Sequence, residues 1–222
     1  MEHAVRSRYG DVTVAYSMIF MPLVGAIPPR IKKIARKTEA ELRERSSPDT
    51  GIRAAWEVYA ASMGLEGADL PAPAALRNEV LRGRNIPKIN CAVDCANITA
   101  LRYDSPVGVF DLASLTPSID LRLATQDDSL VPIAGTEAIS CIPGEVVYSD
   151  RCGVFSRYSR DAERSKVTEA TRNLLCVVDG APGVGGHHVE AAMKFMLSLL
   201  EDATNGAAEL SYKGLLTASE PA

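Results

Sequence analysis

A chain of 222 residues, 46% hydrophobic and 23% charged, has the balance of a globular protein long enough to bury a real core. Its longest apolar run, Val12 to Ala26, is broken at Pro22 and Gly25 and falls short of the ~20 residues of a membrane helix, so neither a membrane span nor a signal peptide is expected. A net charge of −4 is the wrong sign for a dedicated nucleic-acid binder.

In chain order, the β-branched and aromatic residues from Asp11 to Phe20 predict a strand. Pro29 then opens a helix that Ile31, Ile34, Ala35 and Leu42 sustain at helical spacing. This helix is basic. Arg30, Lys32, Lys33, Arg36, Lys37, Arg43 and Arg45 against three glutamates give a local +4, which reads either as a solvated face or as a patch that meets RNA phosphate. A second helix, Gly51 to Gly64, places Ala55, Trp56, Tyr59, Ala60 and Met63 on one stripe, with Trp56 as a core anchor. A third runs from about Pro73 to Leu81. The first 84 residues are expected to form a helical layer, and residues 85–205 the core.

A short helix is expected from Cys91 to Leu101, then a turn at Asp104-Ser105-Pro106 and an extended Val107 to Leu112. Further β-type segments follow at Ile119–Leu123, Leu130–Ile133, Glu145–Ser149, Val154–Ser156 and Asn173–Val178, separated by turn chemistry such as Ile142-Pro143-Gly144. A final helix from His187 to Ala203 carries Val189, Ala192, Met193, Met196, Leu197 and Leu200 inward. Leu210 to Leu215 reads as a last strand before a frayed tail. The order helices, strands, helix predicts an α+β fold.

Motifs for familiar chemistry are sparse. Gly183-Val184-Gly185-Gly186 lacks the third glycine of a dinucleotide loop and any Gly-Lys-Ser/Thr, so no cofactor is expected. Cys91 and Cys95 share a helical face, but their partners Cys141, Cys152 and Cys176 are scattered; buried free thiols in a cytoplasmic protein, with no metal, are expected. His187 and His188 are adjacent and point apart, which suits a surface or capping role. The segment Arg157 to Asn173 is the richest in chemistry. Read from composition alone, it is either a solvated loop laced with salt bridges or a polar rim that holds a small ligand.

A resemblance bears on that choice. Val93-Asp94-x-x-Asn97 and Pro106-x-x-x-Phe110-Asp111-Leu112 are followed by Ile119 to Ala124, Pro143 to Asp150, Arg160-Asp161 and Lys166-x-Thr168-Glu169-x-Thr171-x-Asn173. In this order they resemble the B3/4 domain of the bacterial phenylalanyl-tRNA synthetase β subunit, and more closely the stand-alone proteins carrying that domain. The resemblance covers roughly Pro71 to Asp179. It implies a single B3/4-like domain, a β-rich core with helices packed on one side in three layers, and a pocket for an amino acid mistakenly esterified to tRNA. Carried onto this chain, it implies a site built from Gly108, Phe110, Arg160, Asp161, Lys166, Thr168, Glu169, Thr171 and Asn173. The basic residues Arg30, Lys32, Lys33, Arg36 and Lys37 are the expected RNA contacts. The partners implied are a tRNA or aminoacyl-tRNA, or a small amino-acid-like ligand.

Two departures from the synthetase pattern touch the chemistry. The histidine that stands just before the Phe-Asp pair there is Gly108 here, as in the stand-alone branch. The glutamate that follows the last motif there falls on Val177, and only a two-residue slip brings Asp179 to it. The expected function is therefore binding of a tRNA or aminoacyl-tRNA, with hydrolysis of a mischarged tyrosyl or phenylalanyl ester as its concrete form and a non-catalytic amino-acid-binding module, or a subunit of a larger complex, as the alternatives.

Overall fold

A computed structural model describes residues 1–21, 24–44 and 50–217. Its centre is a four-stranded antiparallel sheet in the order β10-β1-β9-β2, built from β1 (Thr13–Phe20), β2 (Val107–Asp111), β9 (Asn173–Gly180) and β10 (Glu209–Leu216). β9 is apolar along almost its whole length because both of its faces are covered. Leu174, Cys176 and Val178 face one hydrophobic cluster, while Leu175 and Val177 face another, as the two-residue period of a strand requires.

The first face takes the helices. α5 (Cys91–Tyr103), α6 (Gly186–Ala203), α2 (Pro29–Glu44) and α4 (Ala72–Leu81) contribute Ile31, Val80, Cys95, Ile98, Met196 and Leu200 to that cluster. α5 starts where the Asn90 side chain accepts the Val93 amide at 3.0 Å, an N-cap that satisfies one of the helix's unpaired donors. It stops at Asp104, whose left-handed φ of 51° suits a short polar side chain. Arg77, and Arg53 at 3.7 Å, pair with that carboxylate.

The second face takes another sheet, β3-β6-β7-β8, from β3 (Asp120–Leu123), β6 (Val146–Asp150), β7 (Gly153–Arg157) and β8 (Arg160–Asp161). A two-stranded ribbon of β4 (Ser129–Leu130) and β5 (Ile139–Ser140) lies beside it. Helices, central sheet and second sheet make the three layers of the α+β fold. α3 (Thr50–Ser62) leaves the helical layer: Trp56, Tyr59 and Ala60 pack with Phe155 and Tyr158 on the side of the second sheet. Trp56 is thus a core residue, edge-on to Tyr158 at 5.0 Å.

The sequence gives no element before Asp11, where the structure has α1 (His3–Tyr9). Seven residues with no capping side chain carry little local signal. The helix is held from outside, by the fully buried Val5 and by the Tyr9 hydroxyl donating to the Gly144 carbonyl at 2.8 Å. Among the described residues, no helix is long and apolar enough to cross a membrane.

Candidate functional site

A polar cavity of about 120 Å³ opens between the central sheet and the β7–β8 turn. Its floor comes from β2 and β9, where Gly108 stands opposite Val177 in the ladder; Phe110, one pleat along from Gly108, and Asp179, one pleat along from Val177, also line it. The opposite wall is Tyr148 of β6 and the run Ser156 to Asp161. The antiparallel pairing of Arg157 with Arg160 across Tyr158 and Ser159 makes this a tight hairpin, which presents six consecutive polar residues beside the sheet.

Two carboxylates dominate the electrostatics. Asp179 is 2% exposed, and burial pushes its carboxyl up to about 7, against the opposing effect of the Tyr148 hydroxyl that donates to it at 2.6 Å. Asp161, half-buried, is pushed up to about 6 by burial, with the Ser156 hydroxyl donating at 2.7 Å. Removing a carboxylate from water disfavours its charged form, and the charge on Asp161 adds to the rise at Asp179. Arg157, also lining the cavity, is committed elsewhere: its Nε donates to the fully buried Glu145 at 3.0 Å, and its Nη2 lies 3.4 Å from Asp69. Burial raises Glu145 as well, with the Ile142 amide and Arg157 opposing.

The site residues expected from sequence divide into two groups. Gly108, Phe110, Arg160 and Asp161 line the cavity. Lys166, Thr168, Glu169, Thr171 and Asn173 do not, so a single rim is not formed. These residues build the loop that leads into β9. Thr171 is buried and donates to Asp111 Oδ2 at 2.9 Å, while accepting the Thr168 amide at 3.0 Å. Thr168 Oγ1 accepts the Ala170 amide at 3.3 Å, and Lys166 pairs with Glu163. Glu169 and Asn173 are exposed. Hydroxyls two and three residues from backbone amides close such turns, and Thr168 and Thr171 do so here. Asn173 lies six residues from Asp179 along an extended strand, ~20 Å at ~3.3 Å per residue.

The basic helix lies on the far side of the central sheet from the cavity, since α2 packs in the helical layer. Arg30 pairs with Asp202 of α6 at 3.1 Å and Lys37 with Glu41 at 3.6 Å. Lys33 and Arg36 are exposed, and Lys32 is half-buried.

A second, larger cavity of about 570 Å³ shares Tyr148 and Val177 with the first. Its walls are aliphatic and aromatic, among them Val14, Met18, Leu115, Ile119 and Leu175, and among the described residues no charged side chain lines it. Cys91, Cys95 and Cys176 are buried among the helices and sheet, where burial pushes their thiols up. His188 donates from Nε2 to the Tyr103 carbonyl at 2.9 Å.

A family model described as the B3/4 domain matches residues 55–205. The chain belongs to this family. The B3/4 region is similar to the phenylalanine–tRNA ligase β subunit of Photorhabdus laumondii, 35% identical over 103 residues, which covers 46% of this chain and 13% of that protein. The corresponding subunit of Vibrio cholerae is 30% identical over 131 residues, covering 53% and 16%. The chain therefore spans a small part of the length of the curated relatives it matches. Among solved structures, an N-terminal fragment of the phenylalanyl-tRNA synthetase β subunit from Pyrococcus horikoshii is similar at 14% identity and a TM-score of 0.47, covering 96% of this chain and 52% of that one.

In this B3/4 domain the cavity also takes in Tyr148, Ser156 and Tyr158, which the sequence does not single out, and Asp179, which it reaches only through a two-residue slip. Asp179 had one usable signal: it is the same parity as Val177 on a strand, so both must face the floor of the same cavity. The others come from β6, β7 and the β7–β8 turn, and nothing local to their sequence says that they meet β9.

Proposed function

We propose that this B3/4 domain holds the aminoacyl end of a tRNA in the small polar cavity and hydrolyses the ester there. The observation that supports this is the meeting of Gly108, Phe110 and Asp161 with Asp179 around one cavity. Without a histidine at Gly108, the base falls to Asp179. A carboxyl raised to about 7 by burial is suited to accept a proton near neutral pH. Asp179 takes a proton from a bound water as its oxygen attacks the ester carbonyl. The tetrahedral adduct then collapses, the carbonyl–ribose oxygen bond breaks, and Asp179 returns the proton to the departing ribose oxygen. Arg160 at the mouth is placed to meet a phosphate or the developing oxyanion. Holding ester and water together can itself supply up to ~7–11 kcal/mol.

The test is release of labelled tyrosine or phenylalanine from charged tRNA, against a buffer blank. Asp179→Asn should slow release by roughly 10²–10⁴-fold, the usual contribution of a positioned base. A wild type that binds charged tRNA yet matches the blank would leave a non-catalytic binding module. One feature favours that second reading: the ring of Phe110 fills the space at Gly108 where the synthetase's histidine would stand.

A further inference from the structure

We propose that the larger cavity, of about 570 Å³, binds the alkyl chain of a soluble amphiphile, a linear aliphatic tail whose polar head stays at the mouth. The proposal goes beyond the aminoacyl reading and does not depend on it.

The first observation is how the cavity is built. Val14, Tyr16 and Met18 are successive residues on one face of β1, flanked there by Leu175 and Val177 of β9 and Leu216 of β10. At ~3.3 Å per residue, this floor runs ~13 Å from Val14 to Met18. The two faces of β1 differ. Ala15, Ser17 and Ile19, on the helical side, are buried, whereas Tyr16 and Met18 are half-buried. The wall across from them is drawn from the chain between Leu112 and Leu121, where Leu112 and Ile119 are half-buried and Pro117 is exposed. The cavity is thus deep, apolar and open to water at its rim.

The second observation is its size. An apolar cavity of ~150 Å³ takes one benzene ring, and about 570 Å³ is nearly four times that. A single phenylalanine or tyrosine side chain leaves most of it unfilled, and side chains around unfilled space lack van der Waals partners. Small-ligand pockets span ~300–1,000 Å³. A folded partner fits less well. A protein interface engages ~20–30 residues a side, and among the described residues thirteen line this cavity.

The third observation is chemical. Among the described residues no charged side chain lines the cavity, and the Tyr148 hydroxyl is already given to Asp179. A charged or strongly polar group taken inside would lose its water with little in return. Flat ring systems gain most against aromatic faces, and apart from Tyr16 and Tyr148 the lining is aliphatic, proline or methionine. Met18 adds a pliant side chain that moulds to a flexible tail.

The experiment is calorimetric titration of the full chain with 1-butanol, 1-hexanol, 1-octanol and 1-decanol, each below its solubility limit. Each added methylene should tighten binding roughly fourfold, from ~0.8 kcal/mol per buried methylene, with a negative heat-capacity change. 1,10-Decanediol has to bury one hydroxyl and should bind about 5- to 150-fold more weakly than decanol, from ~1–3 kcal/mol for an unpaired polar group. Met18→Trp, which adds bulk to the floor, should weaken decanol by roughly tenfold or more, the scale of overpacking. Ile119→Asp should weaken it by placing a charge in the wall, while circular dichroism shows a native fold for both variants. Wild type that binds decanol no tighter than butanol, or the diol as tightly as decanol, overturns the proposal and needs no variant. Tighter binding of 1-naphthol, with the same number of heavy atoms as decanol, overturns the aliphatic assignment. A chain that sediments as a dimer, becomes a monomer with Ile119→Asp and binds no alcohol assigns this face to a second copy and overturns the proposal as well.

Discussion

The ring of Phe110 lies over Gly108: a Cβ built on Gly108 would sit 2.6 Å from Phe110 Cζ and 2.9 Å from Val177 Cγ2. Phe110 is 1% exposed and packs edge-on against Phe155 at 5.1 Å, so moving its ring aside disturbs the core. Gly108→Ala should therefore destabilise the fold by about 1–3 kcal/mol, the usual cost of overpacking, read from the midpoint of urea unfolding. Gly108→His should cost more and should not raise ester hydrolysis.

Asp179 makes stability depend on pH in a definite direction. Its folded value of about 7 lies above the ordinary 3.8, so the folded state favours the protonated form. That contribution is fully present below about pH 4 and is lost as pH rises through 7. Asp179→Asn should remove it. The stability of wild type relative to the variant should fall between pH 4 and 8 by up to about 4 kcal/mol at ~1.36 kcal/mol per unit. A parallel pair of stability curves would exclude the effect.

Glu145 and Arg157 form a buried pair at 3.0 Å, with side chains 0% and 2% exposed. Replacing one partner strands the other charge away from water. Arg157→Met or Glu145→Leu should each cost about 3–5 kcal/mol, while the two together should recover most of that loss. Chemical denaturation of the three variants closes the cycle.

The shape of the molecule revises what the basic helix would contribute. With Arg30 and Lys37 engaged by Asp202 and Glu41, Lys32, Lys33 and Arg36 remain the best placed to meet phosphate. Three charges predict a log–log salt slope for RNA binding of about −2, at ~0.7 per phosphate. Lys32→Ala with Lys33→Ala should flatten that slope and leave binding of a small aminoacyl ester unchanged, because α2 and the cavity lie on opposite sides of the central sheet.

The periodic elements were legible because their cause is local. The helix expected from His187 to Ala203 is Gly186–Ala203, and the strand expected from Asn173 to Val178 is Asn173–Gly180. Pro29 opens α2 as its fixed φ allows. Of the candidate residues named through the resemblance, Gly108, Phe110, Arg160 and Asp161 line one cavity. Thr168 and Thr171 carry the same kinds of polar groups, yet their hydroxyls close a turn, and Asn173 is exposed. Composition is the same whether a threonine meets a ligand or a backbone amide. Tyr148 and Tyr158 line the cavity from elements far from β2 and β9 in sequence, so no local pattern singles them out.

The position of β1 has a consequence for how the chain is made. Val14 pairs with Asp179 on one side and Leu216 on the other, so the first strand of the central sheet is translated long before either neighbour. At ~5–20 residues per second, the wait is roughly 10 to 40 s. During it, Thr-Val-Ala-Tyr-Ser-Met-Ile-Phe is uncharged, free of proline and strongly β-prone, the composition of an aggregating segment. Recovery of folded protein during expression should accordingly respond to slower translation, lower temperature or a ribosome-bound chaperone. A substitution that only strengthens the finished fold comes too late to shield this strand.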